Sequence, residues 1–293
     1  MANGQWFPQD WPERIRALAD GALTPVVPKR AATVMLLKDT DSGGPVVHML
    51  RRRASMAFAG GAYAYPGGGV DPRDDDLHVR WAGPTRAWWA ERLGVDETAA
   101  QAIVCAAVRE TYEEAGVLLA GPTPDSVVGD ITGADWEADR AAVSARDVSF
   151  AEFLDRRGLV LRSDLLGAWT RWITPEFEHR RYDTWFFVAA LPAGQRTRNA
   201  STEADRTVWI RPSDAAASYD KGELLMMPPT IATLRRLAPY ATAAEVLAAA
   251  PDLDLTPVLA QARLEGGEVV LSWPGHDEFT RHIPVDPTGG GSA

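Results

Sequence analysis

The stretch Arg109-Glu110-Thr111-Tyr112-Glu113-Glu114-Ala115-Gly116-Val117 carries the strongest chemical signal in the chain. At about 100° per residue on a helix, Glu110, Glu113 and Glu114 fall in one narrow sector, while Val104, Val108, Tyr112 and Ala115 fall opposite. Carboxylates at i, i+3 and i+4 repel, and the carboxyl end of a helix disfavours anions further. A divalent cation offsets both costs, because hard ions such as Mg²⁺ prefer clustered carboxylate oxygens. The plainer alternative is a solvated acidic face with Arg109 as a surface partner. Upstream, Tyr65-Pro66-Gly67-Gly68-Gly69-Val70-Asp71-Pro72-Arg73-Asp74 supplies glycines whose backbone can approach a ligand closely. A strand, a glycine loop and an acidic helix together suit a metal-bound phosphate.

The elements that must hold these groups follow from pattern. Residues 32–38 and 46–50 read as strands separated by a turn-rich stretch, and 62–65 as a short strand leading into the glycines. Residues 72–96 are polar and irregular, with a short helix over 86–93. A longer helix starts at Glu97 or Thr98, reaches Ala115 and stops at Gly116. Ser149 caps a helix to Arg156; 165–174 and 182–190 read as strands, the second apolar enough to be buried on both faces. A strand over 207–210, helices over 229–237 and 242–249, and a last strand over 268–273 complete the chain. This mixture predicts an α+β or mixed-sheet sandwich.

Composition narrows the function. With 30 basic and 40 acidic residues the net charge is −10, which argues against nucleic acid as the main partner. A single cysteine, Cys105, rules out an internal disulfide framework or a multi-cysteine metal cluster and fits a reducing compartment. Residues 1–33 lack the apolar run of a secretory signal, and no stretch approaches the roughly 18–20 apolar residues that cross a bilayer. The closing Gly289-Gly290-Gly291-Ser292-Ala293 is neither a peroxisomal nor a lipidation signal. The expectation is a cytoplasmic protein without a membrane partner. Arginine outnumbers lysine 27 to 3, a compositional bias rather than a site. His48, His78, His179, His276 and His282 show no ligand spacing. Cys105 falls on the apolar side of the long helix, as a core residue would, and Trp81, Trp88 and Trp89 are candidates to line a groove for an acyl chain or adenine.

These residues resemble the Nudix box, G-x5-E-x7-R-E-U-x-E-E-x-G-U, the signature of hydrolases that cut a nucleoside diphosphate linked to another group. Residues 109–117 match its second half, with Thr111 where an aliphatic residue is usual, and Gly68 and Asp74 keep the first spacing with Asp in place of Glu. The arginine stands at 109 instead of 82, so 109 − 82 = 27 extra residues interrupt the box. Such an insert is similar to the Nudix branch that contains the acyl-coenzyme A diphosphatases. So are the Arg51-Arg52-Arg53 cluster, Gly61-x3-Tyr65-Pro66-Gly67-Gly68, Asp71-Pro72-x-Asp74 and the stretches 172–175, 180–187 and 227–230.

The resemblance implies an α/β (α+β) protein: a Nudix α/β/α sandwich with a mixed β-sheet over 30–240, an insert at about 75–97, and a small C-terminal extension over 241–293. It implies Mg²⁺ or Mn²⁺ held by Glu110, Glu113 and Glu114, with Gly68 lending a carbonyl or allowing close approach, and Glu203 as an auxiliary ligand. Glu110 is either a ligand or the base that activates water. Arg109 completes the catalytic set by orienting the glutamates, and Asp74 is either an outer acid or part of a solvated run. Arg53, Gly67, Gly68 and Arg181 are the implied substrate contacts. The implied reaction hydrolyses the diphosphate of coenzyme A or acyl-CoA to 3′,5′-ADP and (acyl-)phosphopantetheine. ADP-ribose or NADH are the alternative substrates, and a ligand-sensing or partner-binding Nudix module is the non-enzymatic alternative. Self-association into a homodimer is left open.

Overall fold

A computed structural model describes residues 10–41, 43–55, 60–200, 203–265 and 268–273. In chain order its strands are β1 (Lys29–Asp39), β2 (Pro45–Arg52), β3 (Tyr63–Ala64), β4 (Gly67–Gly69), β5 (Trp81–Ala82), β6 (Ala120–Gly121), β7 (Val160–Arg162), β8 (Gly167–Ile173), β9 (Tyr182–Ala190), β10 (Ala204–Ile210), β11 (Val258–Leu259), β12 (Gln261–Glu265) and β13 (Glu268–Ser272). The helices are α1 (Trp11–Ala19), α2 (Arg86–Leu93), α3 (Glu97–Ala115), α4 (Ala134–Ser144), α5 (Phe150–Arg156), α6 (Pro212–Asp220), α7 (Pro228–Leu237) and α8 (Ala243–Ala249).

The main sheet runs β10-β2-β1-β9-β8-β11. It is mixed, because β1 pairs parallel with β9 and antiparallel with β2. As the apolar run anticipates, β9 lies inside the sheet with Trp185 to Ala189 buried. Alternation then sorts side chains between two layers. Val34, Leu36, Trp185 and Phe187 share one core with α3 and α5. Met35, Leu37, Phe186 and Val188 share the other with α1, α7 and α8. The result is the expected helix–sheet–helix sandwich.

One feature of β1 creates the site. Its far end, Leu37 to Asp39, pairs with β2, but Ala31 to Thr33 pair with β4. The glycine run, expected as a loop, is therefore a short strand beside β1. Its glycines are required by proximity: a Cβ on Gly67 would fall 2.6 Å from the Ala32 carbonyl oxygen, inside contact distance.

Helix α3 follows from its caps. The Asp96 carboxylate accepts from the Ala99 N–H at 2.8 Å, and Gly116 ends the helix at φ +65°. Thr111, the odd residue of the box, is fully buried and donates its hydroxyl to the Ala107 carbonyl at 2.7 Å, so it fills an aliphatic position without an orphaned polar atom. Cys105 is buried in the same core.

Three helices, α1, α4 and α6, add to what the pattern shows. The tryptophan groove does not form. Trp89 is buried against Phe187, with ring centroids 5.9 Å apart, and Trp81 donates its indole N–H to the Pro84 carbonyl, which leaves Trp88 the exposed member of the three. The described residues beyond 240 are integrated into the fold: α8 and the β12–β13 hairpin contribute to the second core. His276, His282 and the chain end lie outside the described residues.

Candidate active site

The last turn of α3 faces β4. Gly67 donates its N–H to Glu114 Oε2 at 2.9 Å. A Cβ on Gly68 would lie 2.6 Å from Glu110 Oε1 and 2.7 Å from the carboxyl carbon, so Gly68 is the space that Glu110 occupies. Two of the three expected glutamates therefore lean on the glycine strand, by direct contact between side chain and backbone. Glu113 goes elsewhere: its Oε1 accepts from Arg109 Nη1 at 3.1 Å.

Arg109 is the organiser of this face and is itself nearly buried. Its Nε and Nη2 clasp the two oxygens of Asp74 at 3.0 and 2.9 Å, Nη2 also donates to the Gly69 carbonyl at 2.9 Å, and Nη1 donates to Glu110 at 2.7 Å. Burial works against its charge, but the ion pairs with Asp74, Glu110 and Glu113 outweigh it and hold the guanidinium protonated. Asp74 is buried and is held by a reciprocal capping box with Asp71. It is therefore not part of a solvated run, and with Asp in place of Glu the arginine clasp still forms.

Across the cleft, β2 presents Leu50 and Arg52, and the start of β10 with the residue before it brings Glu203 and Ala204. With Ala64, Tyr65, Gly67 and Glu114 these line an open pocket. Glu203 and Glu114 thus line the same pocket. The arginine that lines the pocket is Arg52 and not Arg53, the one the resemblance implies. Arg52 Nη2 stands 4.0 Å from Glu203, while Arg53 is exposed and only its backbone N–H bonds the Glu203 carbonyl, at 2.8 Å. The cause is strand alternation: Leu50 and Arg52 share a face, and Arg51 turns to Asp205, which a bulge in β10 supplies. The alternation of 46–50, extended two residues, contains this signal. Arg181 is a clearer correction. It is buried and does not line the pocket; it donates to the carbonyls of Thr174 at 3.0 Å and Val26 at 2.8 Å and so anchors the segment before β1.

Electrostatically the pocket is under-neutralised. Burial, aggravated by Glu113, raises Glu110 to about 7. Burial, then Glu110 and Glu203, raise Glu114 to about 8 against the opposing Gly67 N–H and Arg52. Glu114 and Glu203 line the pocket with the single guanidinium of Arg52, and behind them Asp74, Glu110 and Glu113 share Arg109. Among the described residues no three acidic, histidine or cysteine side chains already converge at metal spacing. The donor set nevertheless fits a hard dication: all oxygens, excess negative charge, and a glycine strand that leaves room at the carboxylates.

A strand-forked mixed sheet between helical layers, with an acidic helix end on a glycine strand, is the arrangement of a Nudix protein. A solved NUDIX hydrolase from Alicyclobacillus acidocaldarius matches it with a TM-score of 0.66 at 25% identity, over 76% of this chain and 96% of that one. The family model of the NUDT19 Nudix domain matches residues 87–237, about half of the chain, and the chain belongs to that family. It is similar to the acyl-coenzyme A diphosphatase NUDT19 of Xenopus laevis, 28% identical over 202 residues (63% of this chain, 51% of that protein). It is likewise similar to the Homo sapiens protein of the same name, 32% identical over 156 residues (49% of this chain, 40% of that protein). The chain spans about half the length of these relatives.

Proposed function

We propose that this chain is a Nudix diphosphatase that uses Mg²⁺ or Mn²⁺ to hydrolyse the diphosphate linkage of coenzyme A or acyl-CoA, giving 3′,5′-ADP and (acyl-)phosphopantetheine. The observation that carries the reading is the placement of Glu110 and Glu114 on the Gly67–Gly69 strand with Glu203 across the pocket. The names of the relatives support the substrate class. Glu110 and Glu114 would hold the dication, with Glu113 recruited from Arg109 and Glu203 completing the shell. Such an ion, when bound, neutralises charge developing on the diphosphate and makes its water more acidic.

The chain's own residues do the rest. Arg109, fixed by Asp74 and the Gly69 carbonyl, fastens the last turn of α3 to the glycine strand. Arg52 offers a guanidinium at the pocket wall for a phosphate oxygen. Among the described residues no helix is long and apolar enough to cross a membrane, and a cytoplasmic location belongs to the proposal.

The test is a substrate panel. Purified protein with Mg²⁺ is offered coenzyme A, acyl-CoA, ADP-ribose and NADH, and the products are resolved chromatographically. Preference for coenzyme A or its thioesters supports the reading, and preference for ADP-ribose or NADH overturns the substrate class. Absence of turnover on all four favours a sensing module.

A further inference from the structure

Arg140 stands on α4, outside the box, yet one nitrogen of its guanidinium bonds two segments of the site. Nη1 donates to the Glu113 carbonyl at 2.8 Å and to the Ala200 carbonyl at 3.3 Å. The rest of the fork is held by Glu137 on the same helix, with Nε 3.1 Å from each carboxylate oxygen and Nη2 on Oε1. The side chain is 10% exposed, so the charge is placed there at a desolvation cost.

The segment that reaches Ala200 is clamped at two earlier points. Gln195, buried, accepts from the Leu118 N–H and donates to the carbonyls of Leu118 and Val128, each at 2.9 Å. The Arg198 N–H donates to the Ala115 carbonyl at 2.9 Å, and its guanidinium lies over Gly116, where a Cβ would stand 2.6 Å from Nε. Residues 195–200 are thus fastened along the carboxyl end of α3, and Glu203, three residues beyond Ala200, enters the pocket beside Glu114.

We propose that Arg140 is a positioning residue for the metal site: it fixes the last turn of α3, which carries Glu113 and Glu114, against the segment that delivers Glu203. The inference rests on the metal-site reading above. Stabilising a helix end needs only a cation near the carbonyls. Arg140 instead bridges the helix carbonyl of Glu113 to the carbonyl of a separate segment, in an orientation Glu137 sets. In Arg140 the bridging nitrogen is Nη1 while Nε and Nη2 stay on Glu137, and a lysine would have to serve all three acceptors from its single, freely rotating nitrogen.

The test measures Mn²⁺ binding to the full chain by calorimetry, over a range wide enough to hold a roughly hundredfold loss. Arg140→Gln should weaken binding about tenfold, and Arg140→Lys should not restore it. Glu137→Gln, a milder change at a half-exposed carboxylate, should weaken it in the same direction and keeps the test readable if Arg140→Gln folds poorly. Because Arg140 acts through the placement of Glu203, the double variant Arg140→Gln/Glu203→Gln should bind within about twofold of Glu203→Gln alone. Unchanged binding in both Arg140→Gln and Glu137→Gln overturns the proposal. So does a loss that multiplies in the double variant, which would mean that Arg140 acts on the helix alone. Absence of Mn²⁺ binding by the unmodified chain would instead refute the metal site itself.

Discussion

Gly67 and Gly68 are adjacent in one strand, yet alanine at each should fail in a different way. At Gly68 the new methyl would lie 2.6–2.7 Å from the Glu110 carboxylate, about 0.8 Å inside ordinary contact. Gly68 does not need a positive φ, and the atoms in the way end a flexible side chain, so the backbone survives and Glu110 moves. The rotamer cost is about 1 kcal/mol. A displacement near 1 Å at a reacting group costs on the order of a hundredfold in rate. At Gly67 the methyl would meet backbone instead, 2.6 Å from the Ala32 carbonyl and 2.7 Å from the Thr33 Cα, so β4 must leave β1. Turnover of coenzyme A with Mg²⁺ and urea unfolding separate the two outcomes. Gly68→Ala should lose roughly a hundredfold in kcat/KM with about 1 kcal/mol of stability. Gly67→Ala should lose several times more stability. A Gly68→Ala enzyme with unaltered kcat/KM would refute the idea that this glycine exists to admit Glu110.

Other expectations follow from the same geometry. Arg181→Ala should leave kcat and KM unchanged while lowering stability by about 1–3 kcal/mol, because two carbonyls lose their donor; a raised KM would restore Arg181 to the substrate site. His48 is fully buried, its ring nitrogens have no hydrogen-bond partner, and burial followed by Lys38 lowers it to about 4. Its folded-state value is depressed, so the unfolded chain binds the proton first, and stability falls as pH drops from about 6.5 towards 4, by at most about 3 kcal/mol. Urea midpoints at pH 5 and 7.5 should therefore differ less in His48→Leu than in the parent, and an equal difference would contradict this. Since burial raises Glu110 to about 7 and Glu114 to about 8, ion binding must expel protons. Apparent Mn²⁺ affinity should rise between about pH 6 and 8, with proton release visible in buffers of different ionisation heat; pH-independent binding would mean these carboxylates are not ligands.

Much of this was written locally in the chain, and the remainder depends on contacts distant in sequence. The Gly116 stop and the three-glutamate sector are short-range signals, and α3 ends where they point. The apolar run of β9 is equally local, since burial on both faces leaves no polar alternation. The glycine run carries no strand propensity; it becomes β4 because β1 diverges from β2 and offers a free edge. Asp74 reads in sequence as either an outer acid or one of a solvated run, because what surrounds it depends on Arg109, 35 residues away. Arg181 sits in a motif-like stretch, and nothing nearby reveals that its acceptors are Thr174 and Val26. Arg140 has no local signature at all, since its partners at Glu113 and Ala200 are carbonyls that any residue would provide.

The central claim is that an acidic helix end and a glycine strand together hold a dication. A crystal grown with Mn²⁺ and measured for anomalous scattering tests it directly. The account predicts a peak within ligand distance of the Glu110 and Glu114 carboxylates and on the Gly67–Gly69 side of α3, lost in a Glu110→Gln/Glu114→Gln variant. A peak elsewhere, or one that persists in that variant, would contradict it.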